Sequence, residues 1–162
     1  MSEPQQRWER RADAVLGVAA SAILVAMMLL TFVDVVARYL FNSPLRGGFE
    51  VTELLLLVLI FAGLPLASRA DEHVTMDFID RLLPGRGRAL VARAVQAACA
   101  AVMFFLAWQM WIKAGKIAGY GDTTDVLRIR IAPFAYFMAA MIFLAGLVHL
   151  YKVFAPGTGR AR

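Results

Sequence analysis

The sequence predicts an all-α membrane protein, and three observations carry that prediction. Hydrophobic residues make up 60% of the 162 positions and charged residues only 18%, against roughly 45–50% and 25% in soluble globular domains. The apolar residues fall into four runs, each near the length of about 20 residues that a bilayer crossing requires. The polar remainder is confined to the two ends and to short connections. A backbone in lipid must satisfy its own hydrogen bonds, so each run is expected to be a helix. The same composition excludes disorder, which needs low hydrophobicity. A single cysteine excludes an intrachain disulfide framework and a multi-cysteine metal site. The formal charge of +5 on so apolar a chain points to a membrane surface and a topology signal, not to nucleic acid. Residues 1–162 read as one four-span integral membrane domain without a soluble domain.

The spans are expected at about 14–38, 51–68, 90–114 and 131–154. The first carries Asp34 as its only acidic residue. It follows Arg7, Arg10 and Arg11, but it is too long for a signal-peptide core of about 7–15 residues and no A-x-A site closes it. It reads as an uncleaved anchor. The second is the shortest, and its run Leu54-Leu55-Leu56-Leu57-Val58-Leu59-Ile60-Phe61 fits no soluble alternative. Gly63 and Pro65 offer it a bend. The third opens with Arg93 and Gln96. The fourth begins beside Pro133, which suits a first helical turn, and ends near Lys152.

Basic residues alternate between the connections. Eleven of the 17 lie in the N-terminal tail, in the Arg69–Arg93 region and at the C-terminal end. Six lie around Arg38–Arg46 and Lys113–Arg130. The positive-inside rule then places both termini and the Arg69–Arg93 loop in the cytoplasm. The Asn42–Gly48 connection reads as a turn set by Pro44 and a glycine pair. Within the long cytoplasmic loop, Val74, Phe78, Ile79, Leu82 and Leu83 share one helical face. A short amphipathic interfacial helix is expected there, between the second and third spans. The Arg86 and Arg88 turn after it suits anionic headgroups. Trp108, Trp111 and Tyr120 approach the outer interface as aromatic anchors, and Tyr151 the inner one.

Few residues invite chemistry. Asp34 and Arg38 stand four apart, acid before base, as an intrahelical ion pair requires. A carboxylate inside a span is a functional candidate by default. Asp34 is near the edge, however, where a structural pair is the simpler reading. Glu50 and Glu53 open the second span, where acids complement the helix dipole. The short turn also brings them within reach of Arg38, so a pair joining the first two spans is expected. His73 and His149 would have to face each other to ligate a haem. His73 sits in a loop beside Asp71 and Glu72, and both histidines read as solvated or interfacial. Cys99 reads as a packing residue. No nucleotide-binding loop, nucleophile motif or metal cluster is present in the sequence, so no cofactor and no enzymatic activity is expected.

The order of these pieces resembles the DctQ-like family, the small membrane subunit of tripartite ATP-independent periplasmic (TRAP) transporters. The resemblance rests on Arg38, Tyr39, Phe41 and Pro44 closing the first span and its turn, on Glu50 or Glu53 opening the second, and on His73 with Asp77 after it. Many members carry Trp just before the acid, where this chain has Phe49. The resemblance implies a scaffold-like permease subunit of a sodium-driven importer of an organic acid. It implies a large TRAP membrane subunit and a periplasmic substrate-binding protein as partners, and the bacterial inner membrane as location. The alternative from the residues alone is a self-sufficient proton-coupled exporter dimer using Asp34.

Overall fold

A computed structural model describes residues 3–70 and 86–154. These form four helices: α1 (Glu3–Phe41), α2 (Gly48–Ala70), α3 (Arg86–Tyr120) and α4 (Ala132–Phe154). All four are long and apolar enough to cross a membrane. The expected amphipathic helix, with His73 and Asp77, lies outside the described residues. The helices outrun the apolar runs: α1 starts at Glu3 and α3 continues to Tyr120. Pro4 falls in the first turn of α1, where proline is tolerated, and Gly115 and Gly119 weaken the extension of α3 without stopping it.

The helix ends follow local rules. Asn42 closes α1 in the left-handed conformation at φ 49°, a position where Asn substitutes for Gly. Gly121 closes α3 at φ 70°, and the Asp122 amide reaches back to the Ile117 carbonyl at 3.3 Å, as a glycine-capped C-terminus does. Pro133 is the second residue of α4, where a missing N–H costs nothing. Pro65 lies inside α2. Thr31, Thr52 and Ser68 donate their hydroxyls to carbonyls four residues back, at 2.9, 3.0 and 2.9 Å. Each thereby satisfies its polar group within its own helix, the cheapest solution in lipid.

The helices form an open row in the order α1, α2, α4, α3. Among the described residues α4 packs on α3 and on α2, and α1 packs on α2 alone. Among these residues no contact between α1 and α3 closes the row into a ring. The α3–α4 seam is made of small residues: Ala100, Ala107 and Ala114, spaced seven apart, are buried on α3. On α4 the buried stripe is Ala135, Ala139, Ile142, Ala145, Gly146 and His149. Small side chains let two backbones approach closely, which is what drives association where no water is expelled. A Cβ on Gly146 would stand 3.2 Å from the Phe104 ring and 3.3 Å from Met103 Cβ. Phe104 meets Phe143 edge-on at 5.3 Å, and Trp111 meets Tyr136 at 5.0 Å. By contrast, no residue of 17–41 in α1 is buried.

Candidate functional site

The polar side chains gather at the two ends of the row. One end, the hairpin end, carries the α1–α2 turn and the α3–α4 loop. The other, the terminal end, is where α2 finishes and α3 begins.

At the hairpin end Asp34 bridges two elements. Its Oδ2 accepts from Arg38 Nη2 at 2.8 Å, one turn along the same helix. Its Oδ1 accepts from the Leu45 amide at 2.8 Å, so the carboxylate fastens the turn onto α1. Glu50, in the first turn of α2, takes the Val126 amide on Oε1 at 2.6 Å and the Leu127 amide on Oε2 at 2.9 Å. The Thr124 hydroxyl and the Asp125 amide also face it. A carboxylate set among successive backbone amides is a charge-assisted clamp. It needs the α3–α4 loop to be folded, and that loop is. The Thr124 amide donates to the Ile129 carbonyl at 3.0 Å and the Ile131 amide to the Asp122 carbonyl at 3.1 Å. The Ile129 amide donates to the Thr124 hydroxyl at 3.0 Å. Leu127 then lies over Gly47, where an added Cβ would come within 2.5 Å of Leu127 Cγ. Gly47 itself has φ 80°, so both conformation and space call for glycine there.

Between these groups lies a cleft of about 640 Å³. One wall carries Asp34, Arg38 and Glu53, and the other is the loop from Thr123 to Val126. The sequence expectation that Arg38 joins Glu50 or Glu53 is corrected by this geometry. Arg38 is held by Asp34 within α1, and the Glu50 carboxylate is taken by backbone donors 76 and 77 residues away. Glu53 is exposed on the cleft wall and enters no ion pair among the described residues.

The terminal end is held by two contacts that the sequence does not announce. His149 Nδ1 lies 2.7 Å from Gln96 Oε1, joining α4 to α3. Lys152 Nζ donates to the Ser68 carbonyl at 2.6 Å, joining α4 to α2. Ser68 is in the last turn of α2, where carbonyls lack intrahelical donors and a cation is favoured. His149 is buried, not solvated as its position near a helix end suggests. Two polar residues in apolar spans at matching depth are the one sequence signal for the Gln96 contact. Of the expected aromatic anchors, Trp108 and Trp111 are both exposed, and Trp111 also meets Tyr136 edge-on. Arg86 and Arg88 fall in the first turn of α3. Among the described residues no group of three or more His, Cys, Asp and Glu is placed to hold a metal.

Among the described residues the polar contacts thus form two clusters at opposite ends of the helices. Residues 27–156 match the family of tripartite ATP-independent periplasmic transporters, DctQ component. The chain belongs to this family. Membership makes this DctQ-family chain a transporter component, not an enzyme. Over 133 residues, 78% of the chain, it is 28% identical to the C4-dicarboxylate TRAP transporter small permease protein DctQ of Vibrio cholerae, covering 57% of that protein. It is 30% identical over 98 residues to the ectoine TRAP transporter small permease protein TeaB of Halomonas elongata, matching 58% of the chain and 51% of the relative. A stretch of 74 residues, 46% of the chain, is 30% identical to the sialic acid TRAP transporter permease protein SiaT of Haemophilus influenzae, covering 12% of it. The chain thus spans about half the length of the small permease proteins it matches.

Proposed function

We infer that this chain is the stationary small subunit of a TRAP importer, standing beside a large membrane subunit that moves the substrate. The observation that carries this reading is where charge lies along the spans. No Asp, Glu, Lys, Arg or His occurs in residues 17–33, 54–68, 94–112 or 131–148. A subunit that carried an ion or an acid across would need polar ligands near mid-membrane. This one has its charges toward the ends, where Asp34, Glu50 and Lys152 hold helices and loops together. An open row also encloses no path of its own.

The rest of the reading follows from the family. A soluble periplasmic binding protein delivers the substrate, a sodium gradient drives uptake, and the substrate is an organic acid. Two relatives named for C4-dicarboxylate and sialic acid support that class. The chain sits in the bacterial inner membrane as one domain of residues 1–162. Both termini and the Arg69–Arg93 loop face the cytoplasm, and the hairpin end faces the periplasm. His73 and Asp77 belong to the cytoplasmic loop, and Arg86, Arg88, Trp108 and Trp111 anchor the spans at the interfaces.

Reconstitution in liposomes tests this reading. The chain alone should take up no organic acid, with or without a sodium gradient. Uptake should require the large subunit and the binding protein together with this chain. Sodium-dependent uptake by the chain alone would overturn the assignment.

A further inference from the structure

We propose that the α3–α4 loop is a hinged strap over the cleft at the hairpin end, with Glu50 as its latch. The strap is internally complete. The Thr124–Ile129 and Asp122–Ile131 hydrogen bonds fold residues 122–131 back on themselves without help from the rest of the chain. Its two roots are side by side, since the Ile131 amide bonds to the Asp122 carbonyl. One root is Gly121 in the left-handed conformation, and the other is the start of α4. A unit joined to the protein along one such line turns about it like a flap.

Away from that line, among the described residues, the strap's hydrogen bonds to the rest of the protein all end on Glu50. The Val126 and Leu127 amides end on Glu50, and the Leu127 side chain fills the space above Gly47. All of these contacts come from the first residues of α2 and the turn before it. Arg128, next in sequence, has φ 54°, a conformation that a non-glycine residue keeps only where its surroundings impose it. The loop closed by Thr124 and Ile129 imposes it here, so it belongs to the strap's own fold and survives release. Release would leave the strap folded and the four helices in place. It would open the cleft wall formed by Thr123–Val126 and widen access to the half-buried Asp34 opposite. Glu50 would be left as an additional free carboxylate. The hairpin end therefore has two surfaces, latched and open, set by one carboxylate. This goes beyond the transport reading and does not rest on it.

Amide hydrogen exchange on the full chain in lipid nanodiscs tests the latch without any transport measurement. In Glu50→Ala the Val126 and Leu127 amides should exchange faster by roughly tenfold or more, the shift expected on losing bonds to a charged acceptor. The Thr124 and Ile131 amides, bonded inside the strap, should keep their wild-type rates. Glu50→Gln retains one carbonyl acceptor and should fall between. Unchanged rates at Val126 and Leu127 would overturn the proposal, and so would equal acceleration at Thr124 and Ile131, which would mean that the loop melts. If Glu50→Ala fails to fold, Glu50→Gln alone carries the comparison, and unchanged Val126 and Leu127 rates in it would equally overturn the proposal. Spin labels at Arg46→Cys and Arg128→Cys in a Cys99→Ser background give a second readout. Glu50→Gln should add a longer-distance population, and an unchanged distribution would overturn the flap.

Discussion

Nδ1 of His149 lies 2.7 Å from Oε1 of Gln96, a part-buried polar contact between α4 and α3 near the terminal end of the row. Interhelical hydrogen bonds in membranes contribute about 0.6 kcal/mol on average and up to about 1.7. Gln96→Leu should destabilise the chain within that range, read from the midpoint of unfolding in sodium dodecyl sulfate. Combining Gln96→Leu with His149→Phe should cost less than the two single changes added together, because the pair is one interaction. Strict additivity would show that the contact contributes nothing.

Gly146 faces Phe104 and Met103 at distances tighter than ordinary contact for any added Cβ. The Phe104 ring can yield slightly, but Met103 Cβ is fixed to its backbone. Gly146→Leu should therefore cost at least the roughly 1–3 kcal/mol of an overpacked core and separate α3 from α4. Crosslinking between cysteines placed on facing turns of the two helices would report the loss. A variant with wild-type crosslinking and stability would contradict the close packing of this seam.

Asp34 and Arg38 should behave unequally, although they form one ion pair. The Arg38 side chain is 60% exposed, and an exposed pair contributes about 0–1 kcal/mol. Arg38→Ala should stay within that. Asp34→Ala also removes the charged acceptor of the Leu45 amide, and hydrogen bonds to charged groups contribute about 1.5–3 kcal/mol. Asp34→Asn keeps a carbonyl for Leu45 and should recover most of the difference. Thermal stability in nanodiscs will rank the three, and a larger loss for Arg38→Ala than for Asp34→Ala would reverse the roles of the two residues.

Gly47 combines a left-handed backbone with a side chain pressed onto it. Gly47→Ala should destabilise the hairpin end by about 1–2 kcal/mol from conformation alone, with a further steric part from Leu127. Adding Leu127→Ala should remove the steric part and leave the conformational part. Full rescue by the second change would show that the backbone conformation costs nothing.

Orientation is tested separately. A membrane-impermeant thiol reagent applied to intact cells should label Asp122→Cys and spare Arg86→Cys, both in Cys99→Ser. The reverse pattern would invert the assignment of the two ends.

The four spans are legible in the sequence because lipid writes its demand as an unbroken apolar run, which needs no knowledge of neighbours. The Asp34–Arg38 pair is legible for a similar reason, since i,i+4 spacing is a local property. Glu50 is recognisable as an acid opening a helix, but its partners are not. The obvious cation across the turn, Arg38, is taken within its own helix. The true donors are backbone amides, which every residue carries and which leave no mark in a sequence. The polar helical extensions at Glu3 and Tyr120 escape a hydropathy reading, because hydrophobicity reports where lipid begins and not where a helix stops. Lys152 reads as the end of a span; that it caps α2 through the Ser68 carbonyl depends on a neighbour 84 residues away.

The open order α1, α2, α4, α3 gives this strip of helices two margins, as an unclosed sheet has two edge strands. A sheet margin exposes unpaired backbone groups and must be guarded. A helical margin in a bilayer exposes only side chains, with every backbone bond already made. Exchanging lipid for protein along it expels no water, so the preference for one neighbour over another comes from fit. The strip can therefore be lengthened from either side without disturbing what already holds it together.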